Sequence, residues 1–389
     1  MLHTLPATVV GEGNAVDASL KVLLVGDFPP PHGGVAVHVE ELHRAIRAAG
    51  GEAVVLDIGK GQIPADGVLA AGGPARFLAQ LGSHAARGYL IHVHTSGANS
   101  KSWLLASLCA AAGQAAGRPA LLTLHSGLGP DYLSASPLRR AVAGAAARAF
   151  GAVIAVSHPI ARMLRICGVP ARHLFVLPAF SRAHLAPGVP PPEFDQLRRS
   201  GAPLLCAMLA PGKVYGERIL LRAFARVRER VPEARLVLYG AGTGSPELRA
   251  LAQALCGPSA DAVHGLGELS RPAALAVIAG CDVFVRPTLA DGDSVSVREA
   301  LALGRPVVAT AVGNRPQDVR LVAPGDDRQL ASGICEVLAE APAAAAAPLA
   351  DDDSIARIFA LYRGSHLSLL DPGTSSTPRR DRWPASAVS

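Results

Sequence analysis

The stretch ADGDSVSVREALALG, residues 290–304, lies between two short apolar runs. Residues 281–285 precede it, closed by Arg286, Pro287 and Thr288, and residues 306–310 follow it. The order reads as strand, glycine-bearing loop, helix, strand. A helix crossing between two apolar strands returns the chain to the end where the first strand began, so the strands run parallel. A parallel sheet is covered on both faces, which is why its strands are continuous apolar runs rather than alternating ones.

The same alternation extends toward the N-terminus. Strands are expected at 204–209, 235–239, 282–285 and 306–310, with helices at 217–230, 246–255, 272–279 and 295–303. An earlier series reads as strands at 21–25, 54–57, 89–93, 120–124, 152–156 and 174–177, with helical stretches between. Val35, Val39, Leu42 and Ile46 recur at helical spacing, and Gly50 with Gly51 ends that helix. Between the two series, residues 184–192 form a stiff proline-rich connector. The expected class is therefore α/β, with two doubly wound domains and a cleft between them. Expected boundaries are a flexible tail at 1–19, a first domain at 20–185, a linker at 186–200 and a second domain at 201–350. A last helix lies within 351–370, and a Ser/Thr/Pro-rich disordered tail follows at 371–389.

Half of the residues are hydrophobic and 4% are aromatic, so Ala, Val and Leu must build the cores. The formal charge of +6 is compatible with phosphate-bearing ligands or an anionic membrane surface. No Lys/Arg block appears and stacking residues are sparse, which argues against nucleic acid. The six cysteines stand far apart without a C-x-x-C pair, as small buried hydrophobes do in a reducing compartment. No secretory signal and no membrane-spanning run is evident, so a cytoplasmic protein with at most peripheral contact at the inner face of the membrane is expected.

Within 290–304, Asp293 or Ser294 is placed to cap the following helix. The amides freed at that helix start suit a diphosphate. Asp291 precedes the cap and Glu299 lies inside the helix; as ionised carboxylates they accept hydrogen bonds from sugar hydroxyls. The plain alternative is an acidic cap and a surface glutamate.

This segment resembles the E-x7-E region of the family 4 retaining glycosyltransferases, with Asp291 in place of the first glutamate. Other segments agree in order and spacing: the strand at 21–25 with the loop Phe28 to Gly34, Thr123 to Gly127, 153–157, 236–242 and 304–310. The resemblance covers roughly residues 20–365. It implies the GT-B fold of two facing Rossmann-like domains, the first binding acceptor and the second a nucleotide sugar, with the C-terminal helix packing back on the first. It implies no metal and no cofactor besides the nucleotide diphosphate sugar, which is the donor substrate. Gly33 and Gly34 would let the loop approach donor and acceptor, His125 would contact the transferred sugar, Asp291 its hydroxyls, and Glu299 the ribose diol. Asp293 could share the role of Asp291, and Ser294 belongs to the same donor loop.

One departure stands out. The family places an arginine and a lysine on the first loop of the second domain, and here those positions hold Ala210 and Tyr215. A leaving diphosphate needs cationic donors. Lys213, Arg286 and Arg298 are the expected replacements, with Arg218 and Arg315 nearby. The expected function is sugar transfer to a glycan or polyprenyl-linked glycan acceptor in cell-surface polysaccharide synthesis. The alternatives are a catalytically inert partner in an assembly complex and a sugar-nucleotide epimerase on the same fold. A Rossmann dehydrogenase is disfavoured, because Gly26, Asp27, Phe28 and Pro29 do not form the G-x-G-x-x-G turn.

Overall fold

The computed structural model of the chain describes residues 20–59, 65–182, 185–340 and 354–370. The expected tails at 1–19 and 371–389 lie outside the described residues.

The first half alternates strand and helix: β1 (Lys21–Gly26), α1 (Gly34–Ala48), β2 (Glu52–Asp57), β3 (Val68–Ala70), α2 (Pro74–Ala86), β4 (Leu90–Thr95) and α3 (Ser100–Ala115). It continues with β5 (Leu121–Leu124), α4 (Gly129–Ser134), α5 (Pro137–Arg148), β6 (Ala152–Ala155), α6 (His158–Ile166) and β7 (Leu174–Val176). The seven strands form one sheet in the order β3-β2-β1-β4-β5-β6-β7. The second half begins with α7 (Pro192–Arg199), β8 (Leu204–Met208), α8 (Glu217–Arg230), β9 (Arg235–Tyr239), α9 (Pro246–Cys256) and β10 (Val263–Gly265). It ends with α10 (Arg271–Gly280), β11 (Val283–Arg286), α11 (Val295–Ala302), β12 (Val307–Thr310), β13 (Val319–Val322), α12 (Asp327–Ala339) and α13 (Ser354–Leu370). Its six strands are ordered β10-β9-β8-β11-β12-β13. Paired strands within both sheets run parallel, as the crossover helices require.

Strand order reverses between β1 and β4 in the first sheet and between β8 and β11 in the second. The connections on either side of such a point leave the sheet in opposite directions and open a crevice beyond the strand ends, where ligands settle in this architecture. The loops after β1, β8 and β11 therefore all open into the space between the sheets.

Local sequence accounts for the elements that frame this space. β1 is buried from Val22 onward. α1 stops at Ala48 because Gly50 takes φ +88, a left-handed conformation that costs glycine nothing. Phe194 of α7 is 2% exposed and joins the core of the second sheet, so residues 192–199, expected as linker, form a helix of the second unit. Gly188, in the connector before it, donates its N–H to the Pro272 carbonyl (2.8 Å) and pins the first turn of α10. α13 follows the second unit in sequence but packs on the first sheet. Its Ile355, Ile358, Phe359 and Tyr362 share a core with Val22, Leu24, Leu90 and Ile154. Cys109, Cys167, Cys206, Cys256 and Cys281 are free and buried.

Candidate functional site

Between the two sheets lies a cavity of about 210 Å³. The first unit contributes Pro31, His32, Gly33, Gly34 and Val37, from the loop after β1 and the first turn of α1. The second contributes the loop after β8 (Leu209, Ala210, Pro211, Tyr215), the start of α10 (Arg271) and the start of α11 (Val295, Ser296, Glu299). The walls touch directly. His32 donates its backbone N–H to Glu268 Oε1 (2.8 Å). A Cβ added at Gly127 would collide with the Asp291 carbonyl, and one at Gly292 with the His125 carbonyl. Glycine on both sides is therefore what lets the loops at 125–127 and 291–292 close on each other.

Gly33 and Gly34 stand at the cavity wall, and a Cβ on Gly33 would meet no protein atom within 4 Å. The space they leave is cavity space. Gly240 differs: it also lines the cavity, but its φ of +112 and its approach to the Leu209 carbonyl already dictate glycine.

α11 is not capped as its sequence suggests. Ser294 occupies the N-cap position without a side-chain cap bond, and its hydroxyl pairs instead with that of Ser296 (3.2 Å). Asp293 does not cap either. Its carboxylate accepts from Arg298 Nε (2.7 Å) and Asn314 Nδ2 (3.1 Å), because the buried guanidinium needs a counter-charge. The amides that open α11 thus reach the cavity without a side-chain partner at Ser294.

The acidic loop is engaged from behind. Asp291 Oδ2 accepts from Arg286 Nε and from both terminal nitrogens of Arg315, each at 3.2 Å, and Oδ1 accepts from the Gly292 amide. Burial would raise this carboxyl, but the two guanidiniums outweigh it and hold it below its ordinary value. Burial raises the Asp293 carboxyl despite Arg298 and Asn314.

Of the sequence-predicted residues, Gly33, Gly34 and Glu299 come together on the cavity wall. His125, Asp291, Asp293, Ser294, Arg286 and Arg298 lie behind it, and Lys213 is exposed on the turn outside it. The two positions where a cation is absent, Ala210 and Tyr215, do face the cavity. Tyr215 separates it from Arg286, whose guanidinium carbon lies 5.5 Å from the ring centroid.

Three features escaped the sequence reading. Arg271 lines the cavity between two buried carboxylates, Glu41 of α1 and Glu299 of α11, the latter at 3.1 Å. An arginine in the first turn of a helix opposes the macrodipole, and that mismatch is a legible signal. Glu41 falls on the same face of α1 as Gly34 and His38, a polar interruption of an otherwise buried stripe. Finally, His38, His92, His94 and His125 form a contiguous ring cluster. His94 Nδ1 and His125 Nε2 are 3.2 Å apart, and His92 shares hydrogen bonds with Tyr362 (2.7 Å) and Thr123 (2.8 Å). Burial pushes His38 and His92 down to about 3 and His94 and His125 well below their ordinary value, so all four are neutral near pH 7. Two histidines at alternate positions of one buried strand, His92 and His94, were the available clue. Among the described residues no His/Cys/Asp/Glu group is arranged to hold a metal ion.

Comparison with known proteins adds two family matches. Residues 32–180 match the family described as Glycosyltransferase Family 4, and residues 204–340 match Glycosyl transferases group 1. No curated protein matches the chain. Among solved structures, Anabaena HepE in complex with UDP-glucose is 20% identical, with 90% of this chain and 99% of that chain covered and a TM-score of 0.66. Sucrose-phosphate synthase from Thermosynechococcus elongatus is 22% identical, with 91% and 100% covered and a TM-score of 0.65. The trehalose-6-phosphate synthase OtsA is 13% identical, with 92% and 100% covered and a TM-score of 0.60. At these identities the likeness is one of fold: two facing α/β units with the cavity between them.

Proposed function

We propose that this chain, which belongs to the family 4-type glycosyltransferases of GT-B fold, moves a sugar from a nucleotide diphosphate sugar to a glycan or lipid-linked glycan, with retention at the anomeric carbon. The observation that carries the reading is the cavity itself. It brings the Gly33–Gly34 loop of one unit against the uncapped start of α11 and the Glu299 carboxylate of the other. Helix-start amides and the positive end of a helix dipole suit a diphosphate. A carboxylate that only accepts suits the ribose diol, and the room at Gly33 and Gly34 suits the sugar. Catalysis in such a site consists of positioning and of stabilising the leaving diphosphate. His125 is neutral and supports the 291–292 loop rather than presenting a charge to the cavity.

Among the described residues no helix is long and apolar enough to cross a membrane. A lipid-linked acceptor would be met at a membrane surface, and the formal charge of +6 favours an anionic one. Surface-polysaccharide assembly is the process this chemistry fits.

The test is a donor panel of UDP-, GDP- and ADP-sugars, with transfer to polyprenyl-linked glycan followed by NMR of the new anomeric centre. One donor is expected to bind and to yield a product of unchanged anomeric configuration. Binding by none would end the reading. Ala210 and Tyr215 at the wall favour a second reading, an inert relative that serves as a partner in an assembly complex. Donor binding without turnover on any glycan acceptor would select it.

A further inference from the structure

We propose that Arg271 is the cation that meets the donor diphosphate in this chain, in place of the cations missing at positions 210 and 215, and that Glu41 takes up a proton as the diphosphate arrives. The inference rests on the donor reading above and adds to it a residue and a proton linkage.

Among the described residues that line the cavity, Arg271 is the one arginine, and no lysine is present. The neighbouring guanidiniums are engaged elsewhere: Arg286 and Arg315 with Asp291, Arg298 with Asp293. Arg271 is 9% exposed and its two terminal nitrogens are ion-paired to Glu41 and Glu299, while its buried Nε has no hydrogen-bond partner. A guanidinium carries five N–H donors, and two carboxylate contacts leave others for an anion in the cavity to accept from. The uncapped start of α11 opens into the same cavity and adds its amides to the same anion.

Charge balance requires the second half of the proposal. One guanidinium between two carboxylates leaves a net negative trio, which repels a diphosphate across a cavity of low dielectric. Protonating Glu41 leaves a neutral Arg271–Glu299 pair and frees the side of the guanidinium that faced Glu41. Glu41 is fully buried, and burial raises its carboxyl to about 7 against the pull of Arg271; Glu299 pushes it the same way and Arg44 opposes. Glu40 also bears on Arg271, and His38 beside it is neutral. An arriving diphosphate adds negative charge and draws one proton from solvent onto Glu41. No bond of the donor is made or broken in this step.

Calorimetry on the full chain with UDP-glucose, GDP-mannose and ADP-glucose tests it, since these pyrophosphate diesters do not titrate near neutral pH. For whichever binds, affinity is expected to fall roughly tenfold between about pH 6 and about pH 8. The binding heat is expected to vary with buffer ionisation enthalpy, reporting a proton taken up. Glu41→Gln is expected to flatten both dependences. Arg271→Gln is expected to weaken binding by roughly tenfold or more, with part regained in Arg271→Lys. Undiminished binding by Arg271→Gln overturns the proposal. So does a wild-type affinity independent of pH, or a pH dependence kept by Glu41→Gln. If none of the three nucleotide sugars binds the native chain, the donor reading itself falls; with binding intact, the other outcomes remove this inference alone.

Discussion

At Gly240 and Asp293 the structure separates residues that build the site from residues that face it. Gly240 lines the cavity, but its φ of +112 and the Leu209 carbonyl beside it explain the glycine without a ligand. Gly240→Ala is expected to cost about 1–3 kcal/mol of stability in urea unfolding, the strain of a left-handed residue with no room for Cβ. Asp293 holds the buried Arg298, so Asp293→Ala leaves an unpaired interior cation and is expected to cost about 3–5 kcal/mol. Measured by the same unfolding curves, a loss under about 1 kcal/mol would mean that solvent reaches Arg298 after all. Glu299 is the contrasting case, because it faces the cavity. Glu299→Gln is expected to weaken nucleotide-sugar binding by roughly tenfold or more, the worth of a charged acceptor on a buried hydroxyl pair; unchanged calorimetric affinity would remove it from the site.

Among the elements, the long internal strands and helices were legible from their apolar runs, and β9 and α8 begin and end where the pattern places them. The strands that the pattern did not announce, β3, β10 and β13, have three or four residues each and sit at sheet edges, too short to carry a period, and the helices α7 and α12 were not expected either. α13 illustrates what an element gains from its partner. Its Tyr362 is fully buried and shares a hydrogen bond with His92 (2.7 Å) at the centre of the first sheet. Tyr362→Phe keeps the packing and removes that partner, leaving His92 Nδ1 unsatisfied. The expected loss is about 1–3 kcal/mol, accompanied by faster amide exchange in β4 and α13. Exchange changed only in the second unit would contradict this link between the helix and the first sheet.

Across the whole molecule, the Glu41–Arg271–Glu299 trio ties the two units together. It also makes stability depend on pH. Burial lifts Glu41 from 4.5 to about 7, so the folded state binds this proton more tightly than the unfolded chain does. Protonation of Glu41 therefore favours folding: the contribution is complete below the unfolded value and is lost as pH rises through about 7. Glu299 and Asp293, also raised by burial, act in the same direction. His38, His92, His94 and His125, lowered by burial, act in the opposite direction as pH falls through their ordinary value of 6.5. Glu41 is therefore read as a difference: between about pH 5 and about pH 8 the melting temperature of the native chain is expected to fall relative to that of Glu41→Gln. Equal slopes in the two proteins would place the titrating group elsewhere.

The sequence alone determined the two α/β units, their parallel sheets and the position of the Gly33–Gly34 and 290–304 loops at strand ends, because apolar periodicity and glycine turns are local properties. It also located the missing cations at positions 210 and 215, both of which face the cavity. Which charges serve that cavity was decided only in three dimensions. Arg286, Arg298 and Arg315 are nearby in sequence but are drawn to Asp291 and Asp293, since a buried guanidinium pairs with the closest carboxylate. Arg271 and Glu41 are 230 positions apart and meet only when the two sheets face each other. Ion pairing depends on distance through space, and no local pattern in the chain encodes that distance.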